Sequence, residues 1–255
     1  MRTLRRGHTG NDVRYLQYLI GEKVDGIFGG DTEETFTNWQ EAHGLDDDGK
    51  CGPLSRAKLG MTDYLVLVAK PDKVSFHGAP YTATYKPLKS IKEWAKDIDA
   101  RYFFNLAFFN STGAGSDKYG VIKGRTLTYV RGNGIDIGYG GTDEKIYVNG
   151  NNICSGYKLA VYKGKKKSLP VVGSRARNAN GMLKDGRYIH IQSIGKVTES
   201  AIVSYAMKNY DIDTLLIQDA GGSTLFYDKK RDALLSPELD GKNGRSIATV
   251  VAIRE

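Results

Sequence analysis

The stretch Val24-Asp25-Gly26-Ile27-Phe28-Gly29 decides the fold of the first sixty residues, because its DGxxG pattern recurs twenty-three residues later as Asp48-Gly49-Lys50-Cys51-Gly52. Glycine adopts positive φ without strain, and an aspartate side chain bonds to the backbone of its own turn. Each copy precedes a helix-start signal, Asp31-Thr32 in the first case and Ser55 in the second. We therefore predict two tight loops, each leading into a helix.

Three helices are predicted around these loops. Apolar side chains at helical spacing place the first over Val13 to Ile20, the second from the start signal at Asp31-Thr32 through Gln40 to a glycine cap at Gly44, and the third over Ser55 to Leu59. Three helices in sixty residues make a small but feasible domain. We expect this domain at residues 1–61, a hinge near residues 60–63 and a second domain at residues 62–255.

The pattern of these residues resembles the three-helix type of peptidoglycan-binding domain over residues 4–60. Trp39 stands where the family often has Phe, and Leu54-Ser55 stands where it often has a Thr pair. The resemblance implies that peptidoglycan is a partner and that Asp25, Phe28 and Asp48 contact the glycan. The alternative is a helical linker domain without affinity for a ligand. The motif positions are Val13, Leu16, Gln17, Val24 to Gly29, Thr32, Phe36, Trp39, Gln40, Gly44, Leu45, Asp48, Gly49 and Gly52.

After residue 63 the apolar spacing changes from period 3.6 to period 2, which predicts strands. Two helices are expected, at residues 90–100 with Ser90 as N-cap and at residues 198–210 with Thr198 as N-cap, and a glycine-bounded loop is expected at residues 173–181. Many strands with few helices indicate an α+β domain. The predicted strands are 64–69, 102–109, 126–130, 135–139, 145–148, 158–162, 188–194, 214–218 and 247–253.

The charge of the chain is distributed unevenly. The net charge is +8 overall, with −2 over residues 1–60 and +10 over residues 61–255. A basic domain suits a polyanion, either nucleic acid, an anionic membrane or a phosphate-rich wall polymer. Because no nucleic-acid-binding module is recognisable and no apolar run is long enough to span a bilayer, we expect neither a nucleic-acid partner nor membrane insertion.

Cysteine and histidine spacing predicts no metal site, and no cofactor is expected. Cys51 and Cys154 are too few for a disulfide framework, so they are either two free thiols or one bridge between the domains. No secretory signal is recognisable at the N-terminus. We expect a monomer that acts outside the cell or in the cell wall, either released by a phage-type route or exported with a signal that has since been removed.

Polar residues gather where predicted strands end. Asn105 and Asn110 flank an aromatic pair, Arg177 and Asn178 lie in the glycine-bounded loop, and Asp219 ends an apolar strand. An arginine presents a fork of donors that matches phosphate oxygens, and a carboxylate beside a glycosyl phosphate can act as acid, base or nucleophile. The backbone N–H groups of Gly221, Gly222 and Ser223 are expected to form an anion nest.

In chain order these segments resemble the phosphodiester glycosidase family. The resemblance implies that Arg177 and Arg245 bind phosphate and that Asp219 serves the chemistry. Ala176, Asn178 and Ala220 depart from the family's Pro, Thr and Gly. The segments that match are Asn105 with Phe109-Asn110, Tyr119-Gly120 with Gly124, Ala176 to Gly181, Asp185 to Arg187, Asp219 to Thr224 and Gly244 to Ala248.

The remaining motif residues receive supporting roles by the same resemblance. Asn105 and Asn110 are expected to hold sugar hydroxyls or to support Asp219, and Ser223 with Thr224 to line the floor of the site. Asn178, Gly221 and Gly222 are expected to bind substrate. His190, in the middle of a predicted strand, is interpreted as structural.

Three functions follow from these observations. The first is hydrolysis of a sugar-1-phosphodiester, such as the N-acetylglucosamine-1-phosphate unit that joins wall teichoic acid to peptidoglycan. The second is an endolysin that cuts the glycan strand with Asp219 and a second acid, for which Asp185 and Asp136 are the nearest candidates. The third is a wall-binding phage component without activity.

Overall fold

The computed structural model describes residues 1–78, 89–106, 127–131, 134–138, 152–155, 158–169, 172–218, 220–238, 244–247 and 249–255. A helical N-terminal part is followed by a larger part rich in antiparallel strands, which confirms the predicted α+β class. No helix in these ranges is long and apolar enough to cross a membrane.

Three helices form the N-terminal part, as predicted: α1 (Asn11–Ile20), α2 (Gly30–Ala42) and α3 (Pro53–Leu59). Gly21 and Gly60 end α1 and α3 in the left-handed region, with φ of 86° and 64°. The second helix begins at Gly30, directly after the first loop and next to the predicted start signal at Asp31-Thr32. It ends at Ala42, two residues before the left-handed Gly44.

The larger part contains two further helices, α4 (Ile91–Lys96) and α5 (Glu199–Asn209). Both predicted N-caps are confirmed, because Ser90 accepts the N–H of Glu93 in a capping box and Thr198 accepts the N–H of Ala201. The strands in the described ranges are β1 (Tyr64–Ala69), β2 (Val74–Gly78), β3 (Tyr102–Asn105), β4 (Leu127–Arg131), β5 (Gly134–Gly138), β6 (Asn152–Ser155), β7 (Lys158–Tyr162), β8 (Lys165–Lys166), β9 (Asn178–Leu183), β10 (Tyr188–Ser193), β11 (Ile212–Ile217), β12 (Phe226–Asp228), β13 (Ala233–Leu235) and β14 (Thr249–Ile253).

The strands pair antiparallel in three sheets. The first has the order β1-β10-β9-β11-β7-β8, the second β13-β12-β3-β14-β2 and the third β5-β4-β6. An apolar cluster joins one face of the first sheet to one face of the second, so these two sheets stack. Helix α5 covers the other face of the first sheet, and α4 covers the other face of the second.

The loop predicted at residues 173–181 is partly wrong, because Asn178 begins β9 at the centre of the six-stranded sheet. Gly181 explains the difference. A Cβ atom there would lie 1.9 Å from the carbonyl oxygen of Thr214 in β11, so only glycine lets the two backbones approach this closely. The polar, glycine-containing sequence suggests a loop, but Asn178–Leu183 form a strand that packs closely against β11.

The predicted hinge is a packed junction. Tyr15, Leu16, Phe28 and Phe36 of the helical part share one apolar cluster with strand residues of the larger part. The amide of Asn11 also donates to the carbonyl of Ile194 at 2.8 Å. The two parts therefore meet through a common core rather than through a linker alone.

Some predicted features lie outside the described residues, including the strand at 145–148 and positions 107–110. Cys51 is a buried free thiol, and burial raises its pKa to about 11. Because Cys51 is a free thiol, the predicted alternative of a disulfide bridge between Cys51 and Cys154 is wrong.

Candidate functional site

A buried glutamine holds the first DGxxG loop. The side-chain amide of Gln17 donates to Asp25 Oδ1 at 2.8 Å and to Thr32 Oγ1 at 2.9 Å, and its oxygen accepts the N–H of Gly26 at 2.8 Å. Asp25 closes the turn by accepting the N–H of Ile27. The amide thus fixes the loop and the start of α2 together.

The second loop repeats this arrangement at positions shifted by twenty-three residues. Gln40 donates to Asp48 Oδ1 at 3.2 Å and to Ser55 Oγ at 3.3 Å, and it accepts the N–H of Gly49 at 3.0 Å. The backbone N–H of Lys50 bonds to Asp48 and lowers the pKa of that carboxyl group. The sequence repeat is therefore a repeat of hydrogen bonds as well.

The expected glycan-contacting residues differ in their exposure. Asp25 and Asp48 are exposed, whereas Phe28 is 1% exposed and packs edge-to-face on Phe36. The prediction that Phe28 contacts the glycan is therefore wrong, because its ring is buried in the core. Asp48 lies on a groove of about 160 Å³ whose edge carries Leu54, 77% exposed.

In the larger part, two asparagines predicted from separate motifs meet. The amide of Asn178 donates to Asn105 Oδ1 at 2.6 Å, and Asn105 Oδ1 also accepts the backbone N–H of Leu225 at 2.9 Å. Both asparagines are buried. This contact joins the end of β3, the start of β9 and the segment that follows the glycine turn.

The glycine turn after position 219 is held against residue 176. Gly221, at φ 70°, donates its N–H to the carbonyl of Ala176 at 2.9 Å, and Thr224 donates its N–H back to Gly221 at 2.9 Å. Because the Gly221 N–H already has this acceptor, the expected anion nest at Gly221, Gly222 and Ser223 is incomplete.

Two buried polar atoms of these segments have no hydrogen-bond partner in the described part of the chain. They are Asn178 Oδ1 and the hydroxyl of Thr224, both on fully buried side chains. Buried polar atoms normally have partners, so an unmatched pair is a candidate binding feature. Ser223, also predicted for the floor of the site, is 2% exposed.

The guanidinium group of Arg177 is committed to a structural contact. It donates to Glu199 Oε1 and to the carbonyl of Gly173, both at 3.1 Å, and Glu199 lies in the first turn of α5. Both side chains are almost fully buried. Arg177 Nε, which is buried, has no acceptor among the described residues.

Arg245 is exposed and follows Gly244, which lies close to the side chain of Leu225. A Cβ atom on Gly244 would lie 2.7 Å from the side chain of Leu225, and Leu225 donates its N–H to Asn105. The segment that precedes β14 is therefore brought close to Leu225, which contacts Asn105.

Asp219 and Asn110 lie outside the described residues. The preceding residue Gln218 donates its backbone N–H to the carbonyl of Asn178 at 3.1 Å. The structure thus brings together the segments that carry Asn105, Asn178, Gly221 and Thr224, while the Arg177 guanidinium points to α5.

Sequence reasoning missed Glu199 and Glu238. Glu238 Oε1 accepts the N–H of Ala176 at 3.1 Å, and Oε2 lies 3.4 Å from the position that a Cβ atom on Gly221 would take. No motif marks either residue, because their positions follow only from the packing of distant segments.

The proposed second acid Asp185 lies at the other end of β9. Its exposed side chain pairs with Arg187 at 2.6 Å. Asp136 lies within β5, with its side chain outside the described part. No group of metal-ligating side chains occurs within the described ranges.

His190 stacks on Phe104 with ring centroids 3.7 Å apart and is fully buried. Burial lowers its pKa from 6.5 to about 3, so the ring is neutral near neutral pH. These contacts fit the predicted structural role.

Comparison with known families and structures gives two results. Residues 11–59 match the family described as "Putative peptidoglycan binding domain". The catalytic domain of zebrafish N-acetylglucosamine-1-phosphodiester alpha-N-acetylglucosaminidase, auto-inhibited by its pro-peptide, matches with a TM-score of 0.57 and 18% identity over 75% of this chain and 83% of that chain. The chain thus combines a peptidoglycan-binding module with a phosphodiester-glycosidase-like fold.

A hypothetical protein from Synechocystis matches with a TM-score of 0.47 and 12% identity, over 75% of this chain and 59% of that one. No curated protein matches the chain.

Proposed function

We propose that the protein is a cell-wall-targeted hydrolase that cleaves a sugar-1-phosphodiester, with residues 1–61 binding peptidoglycan and residues 62–255 carrying the catalytic site. The observation that carries the proposal is the combination of a peptidoglycan-binding module with a glycosidase-like fold in one chain. The site is proposed where the segments of Asn105, Asn178, Gly221 and Thr224 meet.

The chemistry of bacterial walls suggests one substrate. The zebrafish enzyme is named for a bond between N-acetylglucosamine C1 and a phosphodiester. Wall teichoic acid is joined to peptidoglycan through a similar unit, N-acetylglucosamine 1-phosphate on a sugar hydroxyl. A peptidoglycan-binding module would hold the catalytic site beside that bond, and a net charge of +10 over residues 61–255 favours an anionic polymer.

The proposed roles follow from the side chains. Asp219 supplies a carboxylate at the reacting carbon, and Arg245 binds the phosphate. Thr224 Oγ1 and Asn178 Oδ1, both without a partner in the described chain, bind sugar hydroxyl or acetamido groups. Asn105 holds Asn178 in place at 2.6 Å.

Arg177 receives a narrower role than the resemblance implies. Nη1 and Nη2 donate to Glu199 and to the carbonyl of Gly173, so the guanidinium fixes the segment that carries Ala176 and Asn178, and Nε, without an acceptor in the described chain, is the nitrogen proposed to reach a phosphate. We propose that the protein acts as a monomer in the wall or outside the cell, on peptidoglycan and its attached anionic polymers.

The test uses purified teichoic-acid-bearing walls incubated with the protein and with Asp219→Ala. Release of phosphate-containing polymer by the wild type, with loss of release in the variant, is expected. Equal release by both proteins would refute the role of Asp219. New reducing ends with loss of wall turbidity, without polymer release, would indicate a glycan-strand hydrolase instead, and binding to walls without any product would indicate a binding protein.

A further inference from the structure

A carboxylate that no motif identifies lies at the proposed site. Glu238 follows β13 by three residues and reaches the segment before β9, where its Oε1 accepts the N–H of Ala176 at 3.1 Å. The same Ala176 accepts the N–H of Gly221 through its carbonyl. Residue 176 therefore links Glu238 to the glycine turn that follows position 219.

The two oxygens of Glu238 have different surroundings. Oε1 is bonded to Ala176 and lies 3.8 Å from Lys196 Nζ. Oε2 has no donor among the described residues and lies 3.4 Å from where a Cβ atom of Gly221 would stand. This distance is that of a van der Waals contact, so Oε2 lies directly beside the glycine turn.

The exposure of Glu238 suits a group that exchanges protons with water. Its side chain is 26% exposed, in contrast to the fully buried Glu199 and to the exposed Asp185 at the far end of β9. The Ala176 N–H fixes one oxygen, so the other has a defined direction while water can still reach it.

We infer that Glu238 is the general base of the site, and this inference rests on the proposed function. Glu238 Oε2 takes a proton from the attacking water as the water oxygen bonds to C1 of the sugar. The bond between C1 and the phosphate oxygen breaks, and its electron pair leaves with the phosphate. The products are a reducing sugar and a phosphomonoester, which departs as the dianion without a general acid because its second pKa is only about 6, and Glu238 returns the proton to water.

The test measures hydrolysis of a synthetic alkyl diester of N-acetylglucosamine 1-phosphate by the full-length protein. Glu238→Gln is expected to lower kcat by roughly 100-fold or more, the range for loss of a general base. The acid limb of the pH profile of kcat/KM should disappear in this variant. Wall binding and the circular dichroism spectrum should remain those of the wild type.

A second variant separates catalysis from structure. Azide attacks carbon without losing a proton, so it should restore turnover to Glu238→Ala and yield a glycosyl azide. Asp211→Asn, which changes an exposed acid that pairs with Lys184 and belongs to none of the motifs, is the matched control and should keep wild-type activity.

The outcomes distinguish the two proposals. An active wild type with Glu238→Gln equally active would refute the role of Glu238 alone. A loss of activity that azide does not restore, with the acid limb retained, would also refute it and assign Glu238 to holding Ala176. A wild type that leaves the diester intact would refute the proposed function, and this inference with it.

Discussion

Single residues decide several features of this protein that composition does not. Gln17 and Gln40 hold equivalent loops with equivalent hydrogen bonds, and Gly181 lets two strands approach at the centre of a sheet. In each case one side chain, or its absence, fixes backbone geometry.

Gly181→Ala is expected to destabilise the protein by several kcal/mol, because the new methyl group would overlap the carbonyl of Thr214 at 1.9 Å. Gly195→Ala is the control, since nothing lies within 4 Å of its added Cβ atom. Chemical denaturation of both variants measures the difference. Equal midpoints would contradict the close approach of β9 and β11.

His190 makes stability depend on pH. Its pKa is about 3 in the folded protein, against 6.5 for the unfolded chain, so the unfolded state binds the proton first as pH falls. Well above pH 6.5 the ring is neutral in both states, so His190 costs the folded protein no stability there. Below that pH, stability decreases by roughly 1.4 kcal/mol for each pH unit until the pH approaches the folded pKa.

Urea denaturation at a series of pH values tests this dependence. His190→Gln should flatten the pH dependence between 6.5 and 4, whatever its effect on absolute stability. An unchanged slope in the variant would show that other groups cause the loss of stability.

At the scale of elements, α5 is tied to the strand region by a buried ion pair. Glu199→Ala would leave the Arg177 guanidinium buried without its carboxylate, and we expect a loss of about 3–5 kcal/mol. The exposed pair of Lys184 and Asp211 is the control, because Asp211→Ala should cost less than about 1 kcal/mol. Denaturation midpoints compare them, and similar losses would contradict the burial of the first pair.

Much of the element pattern could be predicted from the sequence, and the failures have physical causes. Helix caps at Ser90 and Thr198 are local signals, so they were predictable. Strand β9 was not, because asparagines and a glycine in a strand make sense only when β11 packs against them. Short strands such as Phe226–Asp228 are too brief to show a period.

The site was predictable to a similar degree. The meeting of Asn105 and Asn178 follows motifs visible in the sequence. Two other contacts were not predictable, because no local pattern encodes contacts between distant segments. Arg177 and Glu199 are 22 positions apart, and Ala176 and Glu238 are 62 positions apart.

At the scale of the whole molecule, one tyrosine connects the two parts. Tyr18 donates to Asp228 at 3.0 Å, packs edge-to-face on Phe226 and lies under the guanidinium of Arg231. Asp228 is fully buried and paired with Arg101. These contacts belong to α1 on one side and to β12 and its following turn on the other.

We expect the protein to unfold in a single calorimetric transition because its two parts share a core. Tyr18→Ala removes the ring packing and the hydrogen bond, and it should lower stability by about 3–5 kcal/mol or divide the transition in two. Tyr162→Ala, at a side chain that is already 39% exposed, is the control. Two transitions in the wild type would contradict the common core.

The packed junction between α1 and β12 has a consequence for how the protein would work on a surface. A catalytic unit on a flexible tether searches a sphere around its anchor and cuts wherever it reaches. A unit fused to its anchor through shared side chains has one fixed reach and one fixed orientation. Under the proposed function, the protein would cut bonds at a constant distance from the glycan to which its N-terminal module binds.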